Sequence, residues 1–159
     1  MLAKWVNRIP RDWLVTMYKI MPSKRFKDWV VRRSQVSFLV AVLGVFTNEQ
    51  GEVLLLRHSY RDTEPWGIPG GWMEQEQPEE GLIREVKEET GLDVHIHRLE
   101  RAIRRSNPNC IDLIFSGTVE EGTFLPSTEI TKIMFCKVGE WPSGMPRSQQ
   151  FIITALLQK

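Results

Sequence analysis

Long hydrophobic runs are missing from this chain of 159 residues. The longest, Phe38 to Phe46, is broken at Gly44 and reaches about half the length a bilayer requires, so no integral membrane segment is expected. The opening residues MLAKWVNRIPRDW lack the unbroken apolar stretch of a secretory signal, because charges recur at Lys4, Arg8, Arg11 and Asp12. A cytoplasmic location is the expectation. Cysteine is scarce: Cys110 and Cys136 both sit in apolar, strand-like runs, and a lone pair without secretory context is expected to be two buried thiols rather than a disulfide. Histidine is scarcer in useful arrangements. His95 and His97 share one face of a strand with no third ligand in view, which argues against a zinc site, and His58 is unremarkable. Internal repeats and low-complexity tracts are absent too. What remains is a length suited to one domain with a modest appendage.

The net charge of +1 conceals a division. Residues 1–34 carry nine basic side chains against Asp12 and Asp28, a net +7, whereas the other 125 residues carry twelve basic and eighteen acidic, a net −6. The first 34 residues therefore read as a separate unit, and 35–159 as the domain. Within the arm, Pro10 suits the first turn of a helix, Trp13, Leu14, Met17 and Met21 recur at helical spacing, and Pro22 ends the pattern. Ser23 caps a second helix with Phe26, Trp29, Val30 and Arg33 in period. Both helices are basic on one face and aromatic on the other. The aromatic faces are expected to pack on the domain or on a twin subunit in a homodimer; an anionic membrane surface and nucleic acid are the alternatives.

From Gln35 the pattern turns to strands: VSFLVAVLGVF, the turn Asn48 to Gly51 and EVLLLRH predict a hairpin. A loop, RDTEPWGIPGG, leads to a helix opened by Pro78 and closed by Gly91. Strands follow over 93–104, 111–119 and 130–138, the first two joined by the turn Ser106-Asn107-Pro108-Asn109. Phe151, Ile152, Ala155 and Leu156 predict a closing helix. Strands on both sides of one central helix, with a terminal helix for the other face, point to an α/β fold with a mixed sheet between helices.

The chemistry concentrates in residues 70–92, GGWMEQEQPEEGLIREVKEETGL. At about 100° per residue, Glu85, Glu88 and Glu89 fall within an arc of roughly 100°. Three carboxylates so crowded repel one another unless a cation lies between them. Leu82, Ile83 and Val86 are read as the neighbouring arc, buried against the sheet. An all-oxygen set of this kind suits a hard cation such as Mg²⁺.

Gly70, Glu76, Arg84, Glu85, Val86, Glu88, Glu89, Gly91 and Leu92 match every defined position of the motif G-x5-E-x7-R-E-U-x-E-E-x-G-U. In this the chain resembles the Nudix hydrolases. Gln75, where the family often has glycine, and Gly81, mid-helix where alanine is common, depart from the pattern at positions that are not ligands. The resemblance implies a Nudix-type α/β/α sandwich with a mixed sheet, here preceded by the N-terminal helical extension. It also implies Mg²⁺, with Mn²⁺ as the alternative, held by Glu85, Glu88, Glu89 and the carbonyl of Gly70, and an Arg84–Glu76 pair that fixes loop to helix. The reaction implied is hydrolysis of a phosphoanhydride bond in a nucleoside diphosphate linked to another group. Its general base would be a glutamate of the helix or Glu129, which stands in a later loop where many members carry one. A nucleotide-binding or regulatory module that has lost most of its activity is the alternative, and the intact glutamates argue against it.

The partner is then a small nucleotide. Arg57 and Trp66 are candidates for binding it, although Trp66 is equally well read as a core residue covering the sheet edge. Arg101, Arg104 and Arg105 are expected to be solvated strand residues. Pro108 lies 16 residues past the motif, a spacing associated with ADP-ribose pyrophosphatases, but the turn already accounts for it.

Overall fold

A computed structural model describes residues 11–20 and 23–158. Their internal contacts divide the chain into two units, residues 1–38 and 39–159. In the first, α1 runs Arg11–Ile20 and α2 runs Lys24–Ser34, where the Ser23 hydroxyl accepts from the Phe26 N–H at 3.2 Å as an N-cap. Pro10, Met21 and Pro22 of the sequence pattern lie outside the described residues. Trp13, Phe26 and Trp29 are exposed.

The second unit holds strands β1 (Leu39–Thr47), β2 (Val53–His58), β3 (Trp66–Gly67), β4 (Gly70–Trp72), β5 (Leu92–Ser106), β6 (Asn109–Gly122) and β7 (Ile130–Cys136). Two helices accompany them, α3 (Pro78–Thr90) and α4 (Arg147–Leu157). The sheet is mixed, with β1 parallel to β6 and every other pairing antiparallel. The expected β1–β2 hairpin forms only at its base. Thr47 pairs with Val53 next to the Asn48 turn, and then the strands part. β1 continues against β4 through Ala41↔Trp72, Val42↔Gly71 and Leu43↔Gly70, while β2 pairs with β7 and β3. The segment read as a loop, 61–71, thus contributes two short strands. Too short to show alternation, they leave only Gly and Pro signals in the sequence.

Side chains alternate along β1 and β2 and so supply two cores. Val42, Phe46, Leu54 and Leu56 join Leu82 and Val86 of α3 on one face. Val45, Val53 and Leu55 join Ile153 of α4 on the other. The run Val53–Leu56 is fully buried, as a strand covered on both faces must be. Cys110 and Cys136 are buried free thiols, and burial pushes both thiol pKa values up, so neither is an activated nucleophile.

Two helix faces differ from the sequence pattern. Ile83 is 42% exposed, since it lies about 100° from Leu82 and faces away from the sheet. In α4 the buried residue is Ile153, with Ile152 and Leu156 packed beside it, whereas Phe151 is 69% exposed. Ile153→Ala should therefore cost about 2–5 kcal/mol of unfolding free energy. Phe151→Ala should change stability by less than about 0.5 kcal/mol in the same denaturant titration.

Candidate active site

The helix α3 carries the site because its ends and its buried face are both fixed. Its first turn is closed by Glu80, whose carboxylate accepts from the Gln77 N–H at 3.3 Å, and its last by Gly91 at φ 76°. With Leu82 and Val86 sealed against the sheet, Glu85, Glu88 and Glu89 are set along the adjoining edge.

Arg84 organises this edge. Its guanidinium meets Glu76 through two hydrogen bonds, Nη2 to Oε1 at 2.7 Å and Nε to Oε2 at 3.2 Å, as the motif resemblance implies. The same group reaches Glu85 Oε1 at 2.9 Å and Glu88 Oε2 at 3.1 Å through Nη1. The Arg84 contacts hold the Glu76 carboxyl below the usual carboxylate range. Gly81 has its explanation here: a side chain at that position would press on the Glu76 carboxylate. The glycine that costs helix propensity makes room for the clamp.

Gly70 and Gly71 allow β4 to lie against the helix. At φ 136°, Gly70 occupies a conformation that other residues rarely adopt, and a Cβ there would strike the Val42 carbonyl. Its N–H donates to Glu89 Oε2 at 3.3 Å. A side chain at Gly71 would collide with the Glu85 carboxylate. Burial, together with the nearby charges of Glu85 and Glu129, raises the Glu89 carboxyl to about 7, against the pull of the Gly70 N–H and Arg61. Burial raises Glu85 as well, opposed by Arg84. Glu129, whose charge acts on Glu89, is held by two bonds at the start of β7: the Ser59 N–H donates to the Glu129 carbonyl and the Ser59 hydroxyl to the Thr128 carbonyl, each at 2.7 Å.

The expected three-carboxylate cage is not preassembled. Among the described residues no three acidic, histidine or cysteine side chains converge as a metal-holding group, because the Arg84 guanidinium bridges Glu85 and Glu88 and supplies the opposite charge they require. The residues nevertheless fit a hard divalent cation. The donors are all oxygen, the Gly70–Gly71 backbone leaves the carboxylates uncovered, and Glu88, with its side chain 63% exposed, can turn from Arg84 without cost in packing.

A cavity of about 630 Å³ opens on the α4 side of the sheet. Its wall includes Leu43, Arg61, Ile103, Arg105, Asp112 and Gln149. Arg105 is not merely solvated; its Nε meets the buried Asp112 carboxylate at 2.6 Å. Above the Cα of Gly67, Arg61 Nη1, Gln149 Oε1 and His58 Nε2 converge, each 3.0–3.3 Å from the point a Cβ would take. His58 is 2% exposed and neither ring nitrogen has a hydrogen-bond partner. None of these residues stands in the motif, so sequence reasoning passed over them. The one available signal was the density of polar residues in 58–64 just ahead of the glycines.

The two substrate-binding candidates fall elsewhere. Trp66 is 7% exposed in the second core, which leaves its ring little face to stack on a base. Arg57 is exposed on β2, directed to Thr131 Oγ1 at 3.4 Å, and the cavity's cations are Arg61 and Arg105 instead.

The chain belongs to the Nudix family: the NUDIX domain model matches residues 37–153. It is 35% identical over 95 residues to a MutT-like protein of Streptomyces ambofaciens, a match covering 59% of this chain and 60% of that one. It is 37% identical over 90 residues to a human protein named 8-oxo-dGDP phosphatase, covering 55% of this chain and 28% of the relative. The chain thus spans less than two thirds of both relatives. A Nudix hydrolase from Nitrosomonas europaea shares the fold with a TM-score of 0.69 at 21% identity, over 78% of this chain and 72% of that one.

His58 gives a test of the site's burial. Desolvation, and then the charge of Arg61, lower its pKa from 6.5 to about 4. Above 6.5 the ring is neutral both folded and unfolded; below it the unfolded chain takes up the proton first. Stability should therefore fall as the pH drops from 6.5 to about 4, by up to about 3 kcal/mol. In His58→Leu, chemical denaturation across that range should show a slope shallower by this amount.

Proposed function

We propose that the protein hydrolyses a phosphoanhydride bond in a nucleoside diphosphate linked to another group, with Mg²⁺ as cofactor and Mn²⁺ as its substitute. The observation that carries this reading is the glutamate edge of α3 against the Gly70–Gly71 strand, linked to the cavity through two residues. Leu43 lines the cavity and is the register partner of Gly70, whose N–H holds Glu89; Arg61 lines the same cavity and acts on the Glu89 charge. A nucleoside held in the cavity would direct its diphosphate past Arg61 toward the glutamates. The name of the human relative, 8-oxo-dGDP phosphatase, agrees with a nucleoside diphosphate as the recognised part.

A bound divalent cation would neutralise the diphosphate and make water a better nucleophile at phosphorus. Glu85, Glu88, Glu89 and the Gly70 carbonyl would hold it. Arg84 fixes the helix against the Glu76 loop, and the exposed Glu88 would turn from it to help hold the cation. Arg61 supplies positive charge at the cavity wall, where Arg105 is paired with Asp112, and the Arg61 and Gln149 groups that converge over Gly67 would meet a polar group of the nucleoside. Water bonds to phosphorus as the anhydride oxygen leaves, and its proton would pass to a glutamate of the helix or to Glu129.

Glu88→Gln and Glu89→Gln should each lower kcat by at least about a hundredfold in folded protein, with a nucleoside monophosphate among the products of the parent. Full turnover in both variants, assayed across nucleoside diphosphate derivatives, triphosphates and capped RNA ends, would remove α3 as the metal site. Metal titration separates the two bases. Loss of a ligand raises the Mg²⁺ requirement, whereas Glu129→Gln should lower kcat at saturating Mg²⁺ with that requirement unchanged.

The cavity has its own test. In Gly67→Ala the methyl group occupies the point where Arg61, Gln149 and His58 converge, so KM should rise about tenfold with kcat nearly unchanged.

A further inference from the structure

We propose that the helical arm docks the protein on an anionic lipid surface through the aromatic face of α2. At about 100° per residue, Trp29, Phe26 and Val30 span an arc of roughly 100°. Arg25 and Arg32 border that arc on one side and Lys27 on the other; Arg33 falls within it, one turn beyond Trp29, where its stem can lie along the apolar surface and carry its charge to a headgroup. Phe26 is 45% exposed and Trp29 56%, and their rings stack at 5.9 Å between centroids, so together they form one apolar ridge. α1 adds Trp13 and Ile20, 68% and 75% exposed.

Charge selects a polyanion as the partner. Residues 1–34 carry a net +7, whereas the rest of the chain, at −6, is repelled by the same surface. The apolar ridge then separates lipid from nucleic acid. Phosphates of a duplex would satisfy Arg25, Arg32 and Arg33 but leave Ile20, Phe26 and Trp29 in water, whereas a headgroup layer accepts the basic border and the acyl boundary accepts the ridge.

The test is flotation of the full chain with vesicles of phosphatidylcholine, with and without phosphatidylglycerol. The protein should float only with the anionic vesicles and be released by added salt. Arg32→Gln and Arg33→Gln should each lower partitioning about fivefold. The double variant Phe26→Ala, Trp29→Ala should lower it about tenfold at unchanged charge. Turnover in solution, equal in all variants, confirms an intact domain. Three results would overturn the proposal: flotation undiminished in the double alanine variant; binding to duplex DNA or RNA with none to vesicles; or no vesicle binding by a dimer that the double variant dissociates.

Discussion

One guanidinium, that of Arg84, meets carboxylates from two directions: Glu76 in the loop before α3, and Glu85 and Glu88 on the helix itself. The arrangement answers a problem of electrostatics. A helix with three glutamates on one side resists folding against a sheet, since burial raises the energy of each charge and each charge raises that of the next. A fixed cation relieves the two nearest Arg84 and ties the loop down by the same contacts. Glu89, which Arg84 does not reach, has only the Gly70 N–H and the more remote Arg61 to favour its charge, and its carboxyl is accordingly the one displaced furthest. The local order of the site follows from where one positive charge falls short.

β1 sets the placement of everything around this clamp. Its two edges are paired in opposite senses, parallel to β6 and antiparallel to β4, and its side chains feed both cores. A one-residue slip of β4 on β1 would move Gly70 from Leu43 and take the Glu89 contact with it.

Much of this was legible in the sequence, and the failures have physical causes. The residues of 70–92 identified α3 and its ends, because these depend on spacing along a single helix, and the family resemblance supplied the Arg84–Glu76 pair. Burial of the terminal helix was misjudged by its choice of face, since Phe151, Ile152 and Ile153 are all apolar and only the packed structure shows which meets the sheet. β3 and β4 were invisible because two or three residues carry no period. The cavity was missed for a different reason. Its polar lining includes positions 61, 105, 112 and 149, scattered along the chain and brought together only by folding. For Trp66 the sequence left a core position and a binding role open, because proximity along a strand does not say which way a side chain faces; the ring lies in the second core.

The cavity wall is assembled from four separate stretches: β1, the segment around residues 61–68, the paired strands near 103–112, and the start of α4. None belongs to α3. On the proposed reading, the groups that would hold the cation and those that would hold the nucleoside lie on different parts of the chain, so a change at Ser148 leaves the glutamates untouched. A pocket of this plan can be re-cut for another ligand by small edits to its wall, independently of the helix.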